Sequence, residues 1–471
     1  MLLLALGLTA CASMNGIEPV AVLRDANSFG LPPVLEGPSG AVPVASDWWR
    51  DFGDEQLNAL IAKAIADNPS LKLAQARLTR AQAATQLANA SASPQLNAEG
   101  NVSHQQFTKN GLYPPPLAGA VLDTGTLQLS GTWEFDFFGK NRSALDAALG
   151  AVNAARADAQ AARILLASGV ARSYFQGLRL NQQLTLAQDV LAQREATRNL
   201  VQQRVDAGLD TQLELKLNEA SIPEARGQIE SLQEQLNLNH NALAALVGAP
   251  IVPEMPVQKA YKATKNIAFM QTLPADLLGR RADISAARWR VEAARQDVAN
   301  AKTQFYPNLN LMAFAGFSSI GLDRLLDLGS VQWGVGPALR LPLFDGGRLR
   351  ANLTGKTADF DAAVESYNAT VIDAIHEVAD QLVSLKSVAL QQGHQQAAQK
   401  AAEQAQEIAL QRYKAGLGTY LNVLAAQAPV LNQQRLGIDL AARALDTQLS
   451  LIRAIGGGYQ PDISVSQAIT P

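Results

Sequence analysis

The fold is decided by the run Thr126-Leu127-Gln128-Leu129-Ser130-Gly131-Thr132-Trp133-Glu134-Phe135-Asp136-Phe137, in which apolar and polar residues alternate without exception. A period of two places the aromatic side chains on one face of a β-strand and the polar groups on the other. Strands of soluble proteins usually have about 5–6 residues, whereas about 9–11 tilted residues are needed to cross a bilayer. The run is therefore either a membrane-spanning strand or an unusually long strand of a soluble protein.

Three further segments, 95–103, 308–317 and 331–343, alternate in the same way, the second of them least clearly. A strand in lipid needs neighbours on both sides, because unpaired N–H and C=O groups are costly where water is absent. Four strands cannot close a barrel by themselves. If the strands cross a membrane, we expect the barrel to be shared between identical chains.

Composition narrows the possible classes of protein. The 471 residues are 17% charged and carry a net charge of −3, so no basic surface for nucleic acid is expected. No apolar run approaches the roughly 20 residues of a membrane helix. Membrane association would therefore require a barrel, a lipid anchor or both.

A lipid anchor is predicted at the amino terminus. The sequence Leu8-Thr9-Ala10-Cys11 follows a short apolar run and resembles the bacterial lipobox, whose cysteine is acylated, for example with palmitate. Residues 1–10 would be a signal peptide, shortened by a start codon assigned too far downstream. Ala12 follows the cysteine, and the lack of aspartate there favours the outer membrane. The alternative is that the apolar amino terminus is not a signal sequence. No cofactor other than this covalent lipid is expected.

Long helices dominate the remaining sequence. A helix is predicted from a cap at Asp47 to about residue 65, and a second from Pro69 to about Ser91. Residues 143–206 contain no proline and repeat apolar or alanine positions every three or four residues, which predicts a helix roughly 95 Å long. Gly208 is suited to a left-handed cap at its end. Thr211 and Glu214 have the spacing of a capping box that starts a return helix to about residue 247.

The pattern then repeats. A strand begins after Pro307 as one does after Pro94, a second proline-free helix covers 349–414, and residues 415–419 break it as 207–211 break the first. Equivalent positions lie about 206–213 residues apart, which indicates a duplicated unit. The predicted organisation is listed here: tether 11–46; first repeat 47–248, with hairpin 94–138 and helix pair 143–247; connection 249–270; second repeat 271–456, with hairpin 307–344 and helix pair 349–455; tail 457–471.

Several motifs resemble the TolC-like outer-membrane efflux proteins, in their lipoprotein branch. They are Trp48-Trp49-Arg50-Asp51-Phe52, Leu273-Pro274-Ala275-Asp276-Leu277-Leu278-Gly279-Arg280-Arg281, Phe305-Tyr306-Pro307, Leu341-Pro342-Leu343-Phe344-Asp345-Gly346-Gly347 and Arg412-Tyr413-Lys414-Ala415-Gly416. The resemblance covers residues 47–456, with Ala282 where the family usually has proline. It implies an α+β membrane protein, a homotrimer in which four strands per chain close a twelve-stranded β-barrel. An α-helical coiled-coil barrel would continue it into the periplasm, with 249–270, the N-terminal segment and the tail around its waist.

The resemblance also implies a function. The chain would be a passive outer-membrane duct of a tripartite efflux system, supplied by a periplasmic adaptor and an inner-membrane pump. Segments 111–116 and 133–140 resemble the branch linked with export of drugs and of aromatic acids such as fusaric acid. The alternatives are a duct for type I protein secretion and a structural coiled-coil lipoprotein of the cell surface.

An enzymatic function is not expected. The four histidines have no metal-ligand partner at helical spacing, and His376-Glu377 lacks the second histidine of a metalloprotease motif. The glycine clusters match no phosphate-binding loop and are predicted to be turns. Neither a catalytic residue nor a metal site is predicted.

Two kinds of functional residue are predicted. The helix breaks should form periplasmic tips that meet the adaptor; they contain Gly208, Leu209, Asp210 and Thr211, and Gly416, Leu417, Gly418 and Thr419. Family members often carry gating aspartates after the second tip, where this chain has Asn422 and Ala425. Glu214 occupies the first-repeat position of Asn422, so three copies could form a carboxylate ring. The alternative is that Glu214 only caps its helix.

Overall fold

Seven α-helices and four β-strands are found in the residues that the computed structural model describes, 13–24, 44–209, 211–250 and 280–460. The helices are α1 (Glu55–Asp67), α2 (Pro69–Ser91), α3 (Lys140–Asp206), α4 (Gln212–Val247), α5 (Ala282–Thr303), α6 (Arg348–Lys414) and α7 (Tyr420–Ala454). The strands are β1 (Gln95–Gln106), β2 (Val121–Phe135), β3 (Asn308–Ile320) and β4 (Val331–Arg340). The predicted succession of strands and long helices is confirmed.

The four strands form one antiparallel sheet in the order β1-β2-β3-β4. Leu127 lies opposite Gly100 on β1 and Phe317 on β3, and Phe317 lies opposite Val331 on β4. Because directly opposed residues share a face and residues two apart along a strand do so as well, the apolar sets of all four strands lie on the same face.

The strand boundaries differ from the predicted ones for identifiable reasons. The β1–β2 ladder continues to the pair Gln106 and Val121, although the side chains there no longer alternate. The predicted strand to Phe137 stops at Phe135, because the carboxylate of Asp136 accepts the Arg142 N–H at 2.8 Å beside the start of α3. The fourth strand ends at Arg340, shortly before Pro342, which has no N–H to contribute to a ladder.

The weak alternation of the third strand also has a cause. Met312 and Phe314 lie on the mostly polar face, because they are two and four residues from Asn310, which lies on that face. A Cβ on Gly334, directly opposite Phe314, would lie 2.7 Å from that ring. The Phe314 ring therefore covers a glycine of β4, as aromatic side chains do for glycines in designed sheets.

The prediction that Asp47 caps the first helix is wrong. Residues Trp48–Phe52 form a short 3₁₀ helix, and the Asp47 side chain makes no capping hydrogen bond there. Gly53, with φ +65°, separates this turn from α1, which is capped by Asp54 through the N–H groups of Gln56 and Leu57, both at 3.0 Å. Asp54 also accepts the Tyr174 hydroxyl at 2.7 Å, within a core that contains Trp48 and Ile61.

The chain divides into two compact units, and each predicted repeat contributes to both of them. One contains residues 13–23, 77–156 and 286–368, including the sheet; the other contains the described parts of 24–76, 157–285 and 369–471. Among the described residues, no helix is both long enough and apolar enough to cross a membrane.

Candidate functional site

The apolar face of the sheet is widely exposed in the single chain. Trp333 is 75% exposed and Leu96 73% exposed. The opposite face carries amides, hydroxyls and carboxylates. Two of the amides are joined there, since the Gln332 side chain donates to that of Gln128 at 3.2 Å. Within the described residues, β1 and β4 each pair with one neighbouring strand, so each has an outer edge available for a further strand.

The two predicted tip turns have the same hydrogen-bond pattern. Gly208 and Gly416 adopt φ of +70° and +73°, as the sequence predicted for Gly208. Each turn closes its helix with the two bonds of a Schellman motif. These bonds run from Leu209 to Arg204 (2.7 Å) and Gly208 to Val205 (2.9 Å), and from Leu417 to Arg412 (2.8 Å) and Gly416 to Tyr413 (2.9 Å).

The residues that start the return helices differ between the turns. Thr211 and Glu214 form the predicted capping box, in which a Glu214 carboxylate oxygen accepts the Thr211 N–H at 3.2 Å. Thr419 makes no side-chain cap, and Asn422 and Ala425 are both exposed. The structure thus places Glu214 in its capping geometry, and it brings no carboxylate to the equivalent position of the second turn.

Leucines make the surface of both turns apolar. Between 63% and 69% of each is exposed, and they are Leu209, Leu213, Leu217, Leu417 and Leu421. Two predicted functional residues, Asp210 and Cys11, lie outside the described residues.

The sequence assigned no role to a network of charged groups around Arg281. Its guanidinium donates to both carboxylate oxygens of Asp283 (3.1 and 2.7 Å), to Glu377 (2.9 Å) and to the Ala454 carbonyl (2.8 Å). Arg453 donates to the other oxygen of Glu377. Burial alone would raise the pKa of Asp283, but hydrogen bonds and charge from Arg281 outweigh it and hold that pKa below its ordinary value.

The first repeat contains an uncharged counterpart of this arrangement. Asn68 precedes α2 as Arg281 precedes α5, and its side-chain amide donates to the Leu246 carbonyl at 2.8 Å near the end of α4. We call Asn68, Leu246 and Gly248 the first junction, and Arg281, Ala454 and Gly456 the second junction. In both, a left-handed glycine approaches the backbone before the helix. A Cβ on Gly248 would lie 3.2 Å from the Asp67 carbonyl oxygen, and one on Gly456 would lie 2.1 Å from that of Arg280.

Residues 13–21, which come shortly after Cys11 in the sequence, lie along α6. The Arg350 guanidinium donates to the carbonyls of Ser13 and Asn15, and the Asp361 carboxylate accepts the N–H groups of Val20 and Ala21, both at 3.0 Å. Hence residues 13–21 extend from near the start of α6, just after β4, along this helix.

Comparisons with known proteins agree over most of the chain. Residues 60–249 and 273–457 match the family described as outer membrane efflux protein. The multidrug resistance outer membrane protein MdtP of Escherichia coli K12 is 31% identical over 423 residues, covering 88% of this chain and 87% of that protein. The fusaric acid resistance protein FusA of Burkholderia cepacia is 35% identical over 365 residues, covering 76% and 68%. The crystal structure of the outer membrane protein VceC from Vibrio cholerae has a TM-score of 0.81 and 37% identity, covering 89% of this chain and 100% of that one.

Proposed function

Because the chain belongs to the outer membrane efflux protein family, we propose that three copies of it form a passive outer-membrane duct for drugs or small organic compounds. A periplasmic adaptor and an inner-membrane pump would supply the cargo and the energy. The membership confirms the resemblance predicted from the sequence, the outer-membrane location and the prediction that the chain is not an enzyme.

One observation carries the trimeric duct: a four-stranded sheet with one apolar face and two outer edges open to further pairing. In lipid, edge N–H and C=O groups are satisfied only when the sheet closes. One sheet of four strands is too small to close on itself, and about eight strands give a bore filled by side chains. Twelve strands from three copies leave an aqueous bore lined by the polar face.

The names of the relatives support small organic cargo. MdtP is named for multidrug resistance, and FusA for resistance to fusaric acid, an aromatic acid. The proposal is tested in the native strain by deleting the gene and measuring accumulation of a fluorescent dye. Deletion should raise accumulation, and the wild-type gene should restore it. Unchanged accumulation, with an unchanged spectrum of drug susceptibility, would rule out this export function.

We assign adaptor docking to the turns that contain Gly208, Leu209, Asp210 and Thr211, and Gly416, Leu417, Gly418 and Thr419. Exposed leucines beside a tightly closed backbone offer an apolar surface to a partner helix. Leu209→Glu and Leu417→Glu should therefore abolish export while trimer formation and outer-membrane insertion continue.

Leu112→Glu is the matched control for these variants, since Leu112 is 100% exposed in the β1–β2 loop of the other unit. The control should export normally. If the two turn variants also export normally, docking occurs elsewhere.

Three Glu214 carboxylates are also proposed to ring the narrow end of the duct, in addition to capping α4. The two roles are compatible, since a carboxylate has several acceptor sites and can accept the capping hydrogen bonds while it faces its counterparts in a ring. In a planar bilayer, Glu214→Gln should lower cation selectivity and Asn422→Asp should raise it. Thr211→Ala removes the capping partner but no charge, so its selectivity should equal that of the wild type. If Glu214→Gln leaves selectivity unchanged, the residue acts only as a cap.

Finally, we propose that Cys11 carries the lipid. The contacts of residues 13–21 with Arg350 and Asp361 support this, because they hold the segment just after Cys11 against the first turns of α6, the helix that follows β4 in the sequence. Labelled palmitate should enter the wild type and not Cys11→Ser. Equal labelling of both proteins would disprove the assignment.

A further inference from the structure

The loop between β3 and β4 has a composition unlike that of a solvent-exposed turn. Residues 321–330 contain four leucines, and two short 3₁₀ turns, Leu322–Arg324 and Leu328–Ser330, organise them. The loop is fixed at both ends, since the Gly321 N–H donates to the Asp123 carbonyl at 2.8 Å and the Ser330 hydroxyl donates to the Arg324 carbonyl at 2.7 Å. It lies at the same end of the sheet as the β1–β2 loop, where the ladder reaches Gln106 and Val121.

The first leucines of the loop fold onto the apolar face of the sheet. Gly125 lies two residues before Leu127 on β2, so a side chain at Gly125 would point to the apolar face. A Cβ there would meet Leu322 and Leu325, each at 3.0 Å. These two leucines therefore occupy the space above Gly125 and extend the apolar face beyond the strands.

The other two leucines have no comparable cover. Leu326 is 71% exposed and Leu328 is 92% exposed. Charged groups lie between them and before them, with Asp323 and Arg324 paired at 3.8 Å and largely exposed. The loop thus presents apolar side chains among charged ones, as segments at the boundary between acyl chains and headgroups do.

We propose that the β3–β4 loop inserts Leu326 and Leu328 among the acyl chains of the outer leaflet. This rests on the proposed function, because it requires the apolar face of the sheet to face lipid. Continuity with that face identifies the occupant. Leu322 and Leu325 pack over Gly125 on the apolar face. The base of the loop therefore lies on that side of the sheet, away from the polar face that would line the bore.

Spin labels test the contact. In a Cys11→Ser background, single cysteines are introduced as Leu328→Cys and Leu326→Cys, labelled with a nitroxide and reconstituted in phosphatidylethanolamine–phosphatidylglycerol vesicles. Collision with oxygen, which partitions into lipid, is compared with collision with a water-soluble nickel chelate. Leu129→Cys on the apolar face of β2 is the lipid control, and Leu112→Cys in the β1–β2 loop is the water control.

The ratio of oxygen to nickel accessibility at positions 328 and 326 should resemble that of Leu129→Cys and exceed that of Leu112→Cys several-fold. A ratio equal to that of Leu112→Cys would place the loop in water and overturn the inference. Protection from both reagents would mean that protein covers the loop, for example a second copy, and would overturn it as well. If Leu129→Cys itself is accessible to nickel, the membrane-spanning sheet is wrong, and the proposed function fails with the inference.

Discussion

The first and second junctions have the same backbone arrangement but different chemistry. In each, a side chain just before a helix donates to a carbonyl near the end of a return helix, and a left-handed glycine packs on the preceding backbone. The first junction uses the neutral amide of Asn68, whereas the second uses Arg281 with two carboxylates and a second arginine. The two copies of the duplicated unit thus share this main-chain geometry, and they differ in that the second has an ion-paired network. This difference allows the two repeats to be tested against each other.

Alanine substitutions of the junction glycines should differ most in the stability that they cost. Gly456→Ala forces a Cβ against a backbone oxygen in addition to a left-handed conformation, and should cost roughly 3–5 kcal/mol. Gly248→Ala also requires a left-handed conformation, with φ +72° against +102° at Gly456, but has a looser contact, and should cost roughly 1–2 kcal/mol. Denaturation of the detergent-solubilised protein by guanidinium would measure both. Equal losses would mean that the tighter approach at Gly456 has no energetic consequence.

Substitutions of the junction side chains should differ less in the stability that they cost. Arg281→Met leaves Asp283 and Glu377 without their shared partner, and should cost about 2–3 kcal/mol after allowance for their partial exposure. Asn68→Ala removes the hydrogen bond to the Leu246 carbonyl and the cap in which the Asn68 Oδ1 accepts the Ser70 N–H at 2.8 Å, and should cost about 1–2 kcal/mol. The same denaturation assay applies. The comparison fails if the neutral junction proves the more sensitive of the two.

Only the second junction should respond to acid. The pKa of Asp283 is lower in the folded protein than the ordinary value of about 3.9. Its stabilising contribution is therefore complete above about pH 4 and is lost as the pH falls through the lower, folded pKa. Asp283→Asn should destabilise the protein by about 1 kcal/mol at pH 7, and this difference from wild type should shrink below about pH 4. A difference that is the same at pH 3 and pH 7 would contradict the assignment.

The two turns provide the smallest contrast. Thr211→Ala breaks a capping box and should cost about 1 kcal/mol. Thr419→Ala removes a hydroxyl that caps nothing and should be nearly neutral. Thermal loss of the helical circular dichroism signal would compare the two variants. If Thr419→Ala lowers the thermal stability more than Thr211→Ala does, the second turn has a cap of its own in the assembled protein.

Periodicity predicted most of the fold. Alternation located all four strands, and proline-free runs located both long helices. A glycine with a threonine three residues later located the two turns. All three signals could be found in this way because each depends on residues close together in the sequence. The errors occurred where a side chain changes its partner: Asp136 leaves the strand pattern to accept the N–H of Arg142, and Asp54 caps the helix that Asp47 was expected to cap.

The junctions could not have been predicted in this way. Arg281 and Asp283 are two residues apart, but Glu377 and Ala454 come from other helices, and only the fold brings them together. One signal was nevertheless visible. Ala282, noted in the sequence as a departure from the resemblance, is the first residue of α5, just as Pro69 is the first residue of α2. Proline is favoured at that position because the missing N–H would have no helical partner.

In the proposed trimer, the outer edges of β1 and β4 are paired with strands of identical chains. Native mass spectrometry of the protein extracted from the outer membrane tests it most directly. We expect a particle of three chains, each with the 50.1 kDa of the full sequence less the mass of residues 1–10 and plus that of its lipid. A particle of one chain that retains the strand and helix content of the folded protein would contradict it.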